Sequence, residues 1–261
     1  MTLFLGYLLA IAIGLSLGLI GGGGSVLAVP IMVYVLGVPA KSAIAMSMFV
    51  VGVVSLLGVI PQWQRGNVNL KTFAIFTPAA MVGTLLGAKI AGLPWVSDTL
   101  QLVAFGGVMV VTSLFMIRKS NQRVPSSVGA MARHEPKAHH GILPNWLLIP
   151  LEGTVVGIVT GFVGVGGGFL IIPALVLLGG IPMKEAVGTS LLIIAFKSAV
   201  GFMEYLNHVT LDWQLMLTFT LAAGIGMVGG VYLSQRIDGR HLQKGFGYFV
   251  LAVAVFVLLK R

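Results

Sequence analysis

The sequence predicts an all-α, polytopic membrane protein of about ten transmembrane segments, arranged as two inverted five-segment repeats. Of its 261 residues, 57% are hydrophobic and only 9% are charged, far from the balance of a soluble domain. The apolar residues form runs of about 20, which span a hydrocarbon core as helices, and they lack the alternating polarity of barrel strands. A glycine-rich motif that occurs twice divides these runs into two sets.

The two copies of the motif are GLIGGGGSVLAVP, from Gly18 to Pro30, and GFVGVGGGFLIIP, from Gly161 to Pro173. The offset of 143 positions, from 18 to 161, then holds without a gap. It matches Pro39 with Pro182, Lys41 with Lys184, Ser47 with Ser190, Gly83 with Gly226 and Gly87 with Gly230. We therefore expect a first repeat over residues 1–117, a linker over 118–145 and a second repeat over 146–261.

The first half is interpreted as five segments. Residues 2–19 carry no charge and lead directly into the glycine cluster with no preceding basic region, so they are expected to be a retained helix and not a signal peptide. Residues 25–36 form a short segment interrupted by Pro30. The remaining predicted spans are 42–60, 70–90 and 100–117.

The chain becomes polar between residues 118 and 145. Five cations and three histidines fall there: Arg118, Lys119, Arg123, Arg133, Lys137, His134, His139 and His140. The histidines lack a regular ligand spacing, so a solvated linker is favoured over a metal site. The second half then repeats the plan, with predicted segments at 146–163, 169–178, 186–205, 213–234 and 245–259.

If all five segments of each half cross the membrane, the odd number places the halves upside down relative to one another. Whether 25–36 and 169–178 cross fully or are re-entrant stays open. Most loop cations fall on the linker side, whereas the opposite side keeps Lys41, Lys89, Lys260 and Arg261. By the positive-inside rule, the linker is expected in the cytoplasm and both termini outside. The net charge of +9 is assigned to these loops, and no nucleic-acid partner is expected.

Composition also limits the chemistry. The absence of cysteine excludes disulfides, thiolate metal sites and cysteine nucleophiles. The seven acidic residues are interpreted as lying almost entirely near helix ends, with Glu204 the only carboxylate near a span that is suited to carry a proton. The sequence therefore predicts no enzyme, cofactor or metal site.

The glycine clusters are candidate anion sites. A helix broken inside a membrane leaves unpaired N–H groups and a positive dipole end, which is tolerable where the backbone faces a protein-lined cavity. Glycine permits positive φ and close approach of a ligand. The candidate residues are Gly21, Gly22, Gly23, Gly24, Ser25, Gly164, Gly166, Gly167 and Gly168. Close helix packing is the alternative, and it is favoured for the later pairs Gly83 with Gly87 and Gly226 with Gly230.

Polar residues within the spans extend the candidate site. Ser190, Lys197 and Glu204 follow one another at seven-residue spacing, on nearly one helical face. Lys197 either attracts the anion or pairs with a carboxylate such as Glu204. The hydroxyls of Ser47 and Ser190 either bind the anion or bond to their own helix carbonyls.

A second polar set lies at helix ends. Arg65 matches His208 in the repeat, and the two residues are candidates for coupling or gating. Contact with lipid head groups is the favoured alternative for both.

These features resemble the TauE/SafE permeases, the sulfite exporter family. The resemblance rests on the doubled glycine motif that ends in proline, on P-x-K-x-A at Pro39–Ala43 with its variant at Pro182–Ala186, and on the basic midchain loop. It implies transport of sulfite, sulfonates or related small anions across a prokaryotic inner membrane. The expected partners are that anion and the lipid bilayer, and homodimer formation stays open.

The resemblance is incomplete at the two clusters, because Val165 replaces Gly22 and Gly168 replaces Ser25 in the second copy. The predicted mechanism places one anion at the midplane between the clusters, while the halves rock to expose it to each side in turn. A channel, a structural scaffold in which the glycines only pack, and a permease for another small anion or organic acid remain alternatives.

Overall fold

The computed structural model describes residues 2–91, 98–121, 145–163, 168–205 and 210–259. This part of the chain forms ten α-helices and one π-helix and contains no strand, which confirms the all-α class. The α-helices are α1 (Thr2–Ile20), α2 (Ser25–Tyr34), α3 (Ala40–Gln64), α4 (Leu70–Ala91), α5 (Asp98–Asn121), α6 (Asn145–Val163), α7 (Gly168–Pro173), α8 (Met183–Tyr205), α9 (Trp213–Arg236) and α10 (Gly239–Leu259), and the π-helix (Ala174–Leu178) directly follows α7.

Several helices extend beyond the expected bounds, and α3, α5 and α10 do so most. Helix α5 continues to Asn121, into the range expected as linker. Helix α10 begins at Gly239 and not at residue 245, because its polar first turns still have a buried side. Leu242 is buried there, and Gln243 Nε2 donates to Met116 O at 3.2 Å.

Four helices of the described residues are long and apolar enough to cross a membrane: Ser42–Gln64, Leu70–Gly87, Met183–Met203 and Trp213–Arg236. Shorter apolar stretches cover Phe4–Ile20, Gly106–Arg118 and Ile149–Phe162. Large apolar side chains, among them Phe4, Leu221 and Ile225, lie on the outer surface. Such a surface is suited to contact with hydrocarbon.

The helices pair across the two halves. The closest packed pairs are α1 with α9, α4 with α6, α3 with α8 and α5 with α10. Under the 143-residue offset between Gly18 and Gly161, α1 corresponds to α6 and α4 to α9, so exchanging the halves converts the first pair into the second. Each of the other two pairs consists of a helix and its own repeat counterpart.

Helices α3 and α8 run antiparallel. Ser42 Oγ, near the start of α3, donates to Thr210 O at 2.9 Å, just beyond α8. The rings of Phe49 and Phe202 lie 5.2 Å apart, and the Gln62 side chain at the end of α3 reaches Gly188 in the first turns of α8.

Helices α5 and α10 also run antiparallel. A Cβ built on Gly247 would lie 2.7 Å from Ile117 and 3.2 Å from Ser113 O. The Gln243 bond to Met116 lies on the same seam.

Glycines bring the α1–α9 and α4–α6 pairs into backbone contact. A Cβ built on any of eight glycines would collide with a backbone carbonyl of the facing helix. Four of them lie between α1 and α9, namely Gly14, Gly18, Gly226 and Gly230. The other four lie between α4 and α6, namely Gly83, Gly87, Gly157 and Gly161. The packing role predicted for the later glycine pairs is confirmed. We call these two contacts the glycine seams.

The short helices end in matching turns. Gly37 (φ +70°) and Gly180 (φ +65°) both adopt the left-handed conformation that glycine permits at little cost. Val38 N–H bonds Met32 O at 3.0 Å, and Ile181 N–H bonds Leu175 O at 3.0 Å. The repeat therefore preserves this turn together with the sequence.

We predict that Gly230→Ala destabilises the protein and that Gly229→Ala does not. The new methyl at 230 would meet Leu15 O and lie 3.0 Å from Gly18 Cα, whereas nothing lies within 4 Å of a Cβ at Gly229. Overpacking costs about 1–3 kcal/mol, while alanine is favoured over glycine in a helix by about 1 kcal/mol. Thermal unfolding in detergent would measure both, and equal midpoints would contradict the seam.

Candidate functional site

The break between α1 and α2 is buried inside the protein. All four glycines from Gly21 to Gly24 are buried, and Gly21 has a φ of +84°, which side-chain-bearing residues rarely adopt. Gly21 N–H donates to Leu17 O at 2.7 Å, and this bond ends α1. Gly24 precedes α2 and, as a glycine, has no side chain to cap the first N–H groups of that helix. The backbone groups that lose their helical partners at the break therefore face protein, as a break within a membrane requires.

Gly21 adjoins helix α8. A Cβ built on it would lie 2.7 Å from Ser190 Oγ and 3.2 Å from Val187 Cα. Two residues predicted separately from the sequence are thus brought together. Ser190 Oγ donates to Val187 O at 2.9 Å, so its proton is already engaged within α8.

Ser47 behaves in the same way. It is buried and donates to Ile44 O at 2.8 Å. For both hydroxyls, bonding to their own helix is the arrangement found, so either must rotate to donate to an anion.

The other glycines of the first cluster are packed closely. A Cβ on Gly23 would lie 3.1 Å from the Phe249 ring, and one on Gly24 would lie 2.8 Å from Leu17. Gly22 contributes its carbonyl, which accepts from Ser25 Oγ at 2.8 Å. Close packing and the break therefore coexist in this cluster.

The two short helices start at a common point. Gly164, Gly166 and Gly167 lie outside the described residues, but Gly168 begins α7. A Cβ on Gly168 would lie 2.8 Å from Ser25 Oγ and 3.3 Å from Gly22 O. Because Ser25 and Gly168 are repeat counterparts, the halves meet here at equivalent positions.

One face of α8 runs along both breaks. Val187 and Ser190 adjoin Gly21, and Ile194 Cδ1 would lie 2.9 Å from a Cβ on Gly168. Lys197 follows Ile194 by one turn on this face.

Lys197 is partly buried and has no hydrogen bond or ion pair within the part of the chain that the structure describes. The backbone of Glu204 belongs to α8, but its side chain and the whole of His208 lie outside the described residues. Lys197 therefore lies one turn beyond Ile194 on this face of α8, and the carboxylate of its predicted partner lies outside the described residues.

A polar cavity of about 210 Å³ opens beside this face. Its lining comprises Gln62, Arg65, Asn67, Lys184, Val187, Ser234, Gln235 and Leu242. Because Val187 also contacts Gly21, the cavity ends close to the first break. Arg65 and Lys184 are exposed at it, so it is electropositive. We call it the basic cavity.

The turn between α3 and α4 forms one wall of the basic cavity and is bonded to α8. Asn69 N–H donates to Thr189 Oγ1 at 2.9 Å, and Asn69 Nδ2 donates to Glu185 Oε1 at 2.7 Å. Asn67 Nδ2 donates to Gln62 Oε1 at 2.9 Å. Sequence reasoning assigned Arg65 to gating or to lipid head groups and missed Lys184. The sequence feature that could have identified Lys184 was its match with Lys41 under the repeat offset.

The expectation that Glu204 is the only carboxylate near a span is wrong, because Glu152 lies within the apolar helix α6. It lies in the middle of α6, is 8% exposed, and its Oε2 is buried without a hydrogen-bond partner. The signal was a single carboxylate within the apolar run 146–163.

Comparison with known proteins now identifies the family. The sequence model described as sulfite exporter TauE/SafE matches residues 6–257. The chain belongs to the TauE/SafE family. TauE/SafE proteins are membrane transporters, which is consistent with the apolar helices and with the prediction that the chain is not an enzyme.

Relatives cover this TauE/SafE chain almost completely. A probable membrane transporter protein of Xylella fastidiosa is 31% identical over 94% of this chain and 91% of its own. YjnA of Bacillus subtilis, also a probable membrane transporter protein, is 24% identical over 96% and 95%. One from Haemophilus influenzae is 22% identical over 95% and 94%. No solved structure matches the chain.

We predict that Thr189→Val lowers stability more than Thr112→Val. Valine at 189 removes the acceptor of the Asn69 N–H, and an unsatisfied buried donor costs about 1–3 kcal/mol. Thr112 Oγ1 bonds only carbonyls of its own helix, those of Val108 and Met109. Unfolding midpoints in detergent would compare the two variants, and equal losses would show that the turn is not held by this bond.

Proposed function

We propose that this TauE/SafE-family chain exports a small sulfur-containing anion, sulfite or an organosulfonate, by alternating access. The anion binds where α2 and α7 begin, beside the α8 face that carries Ser190 and Lys197. The single observation that carries the site is the meeting of Gly21 with Ser190. The substrate class follows from the family and not from the geometry.

Antiparallel counterparts support an inverted repeat. In a direct repeat related by rotation about the membrane normal, α3 and α8 would run in the same direction, as would α5 and α10. Both pairs run in opposite directions. Inverted repeats that meet at broken helices are a common plan for transporters with a substrate site near the midplane.

The electrostatics of the breaks favour an anion. The first N–H groups of a helix have no partner within the helix, and the helix dipole adds positive potential at that end. Helices α2 and α7 present two such ends to each other, at Ser25 and Gly168. Lys197, one turn beyond Ile194, adds a formal positive charge. This arrangement supports a role for Lys197 in attracting the anion.

We assign the basic cavity to the cytoplasmic side of the inner membrane. Arg65 and Lys184 belong to the loops that lie on the linker side in the predicted topology, where positive charge is retained. An anion entering there reaches Val187 and then Gly21. The linker is cytoplasmic and both termini are outside in this proposal.

The membrane potential supports export. With the cell interior negative, exit of an anion is favoured by about 2.3 kcal/mol per charge per 100 mV. An anion moving alone therefore leaves the cell without a coupled ion.

Replacing Gly21 by alanine should abolish saturable sulfite flux into liposomes, whereas replacing Gly37 should not. Both glycines have positive φ, so alanine costs about 1–2 kcal/mol of backbone strain in either variant. Only at Gly21 does the methyl approach Ser190, at 2.7 Å from its Oγ, while nothing lies within 4 Å at Gly37. Radiolabelled sulfite and 2-hydroxyethanesulfonate are the probes.

Equal loss of flux in the two variants would show that backbone strain causes the loss and that the break at Gly21 is not part of the binding site. Rapid conduction that does not saturate would identify a channel. A folded protein that moves neither probe would overturn the proposed substrate class.

Substituting Lys184 or Arg65 by glutamine should raise KM and leave the maximal rate unchanged. Each cation at the basic cavity raises the local anion concentration, by roughly fivefold for a contact worth about 1 kcal/mol at low ionic strength. Lys71→Gln is the matched control, since Lys71 is exposed at the start of α4 and does not line the cavity. The KM difference should shrink at high salt, and a salt-independent difference would contradict electrostatic attraction.

A further inference from the structure

Glu152 is a buried carboxylate that the transport site described above does not use. Its residue is 8% exposed, and its Oε2 has no hydrogen-bond partner. Among the described residues, no cation forms an ion pair with it. It lies in α6, within the shorter apolar stretch Ile149–Phe162.

Its surroundings are the α4–α6 seam on one side and an apolar groove on the other. The next residue, Gly153, packs so closely on α4 that a Cβ there would lie 2.8 Å from Phe76 O. One turn further along α6, Val156 lines a groove of about 590 Å³ together with Leu170 and Ala174. The seam supplies no charge, and the described lining of the groove includes one cation, the exposed Arg118.

The charged groups on the packed elements are few. Helix α4 carries Lys71 and Lys89, both exposed and near its ends. Helix α5 carries Arg118, which is exposed and lines the groove, and Asp98 and Lys119, whose side chains are outside the described set. Helix α7 and the π-helix carry no titratable side chain.

Burying an unpaired carboxylate costs several kcal/mol, so a carboxyl in this position takes up a proton. The repeat counterpart of Glu152 is Leu9, which shows that the fold accepts an apolar residue at the equivalent place. Packing alone therefore does not require the carboxyl group. Ionisable groups within spans commonly carry ions or protons.

We propose that Glu152 carries a proton through the transport cycle. In the packed arrangement it is a carboxylic acid. When α6 is exposed to water, the O–H bond breaks, and the products are a carboxylate and a hydronium ion. The inference rests on the proposed transport and adds that a proton moves in the opposite direction to each anion. A monovalent anion would then leave while a proton enters, and the proton gradient would add to the membrane potential as the driving force for export.

Protonation can be tested without any substrate. Dicyclohexylcarbodiimide modifies protonated carboxyl groups in apolar surroundings, and peptide mass spectrometry locates the adduct. We expect labelling of Glu152 that declines as pH rises and is absent from Glu152→Gln. Glu185, which accepts a hydrogen bond from Asn69 Nδ2, is the internal control and should stay unlabelled. An unlabelled Glu152 in the folded protein would overturn the inference.

Coupling can be tested in liposomes with labelled 2-hydroxyethanesulfonate, whose sulfonate is too strong an acid to carry a proton itself. Sulfonate uptake and proton movement, reported by an entrapped pH dye, give the ratio of protons to anions. Glu152→Gln should lower this ratio to the level of protein-free liposomes, and Glu152→Asp should restore it. Equal unfolding midpoints would show that both variants fold.

Two outcomes separate this inference from the proposed function. Anion exchange without proton movement in the unsubstituted protein, or an unchanged ratio in Glu152→Gln, overturns the role of Glu152 and leaves transport intact. Absence of exchange with either sulfite or the sulfonate counts against the proposed function, and the carbodiimide experiment then decides the protonation of Glu152.

Discussion

Backbone N–H and C=O groups that lose their helical partners inside a membrane must be enclosed by protein, and this requirement shapes the whole molecule. The break at Gly21 is enclosed by Val187 and Ser190 of α8, and Gly23 is covered by the Phe249 ring of α10. The seams around α1 and α4 bring the surrounding helices close enough to complete this enclosure. Burial of the breaks and tight glycine packing are therefore parts of one solution.

Much of the fold could be predicted from the sequence, because runs of apolar residues mark the helices and the 143-residue offset marks the two repeats. The predicted segments correspond to the helices, and the seam role of Gly83 and Gly226 is confirmed by their carbonyl contacts. The π-helix after α7 was not predicted, since α- and π-helices share the same apolar composition. The contact between Gly21 and Ser190 depends on how distant helices pack, which no local pattern encodes.

The candidate site was predicted as a set of residues and not as a set of contacts. Gly21 adjoins Ser190 and Gly168 adjoins Ser25, whereas Gly164, Gly166, Gly167 and His208 lie outside the described residues. The binding roles of all these residues stay predictions. Glu152 was missed because the seven acidic residues were assigned to helix ends as a group, although Glu152 lies inside the apolar run 146–163. The basic cavity was missed because its lining comes from four separate stretches of chain.

Each glycine seam unites one helix from the first half with one from the second, α1 with α9 and α4 with α6. A methyl group is too large for either contact. Rocking of one half against the other would have to break both seams, so two bodies that each contain one intact seam are the simpler moving units. Hinges are then to be sought in α2, α7 and their glycine turns, and a crosslink across a seam should leave turnover intact.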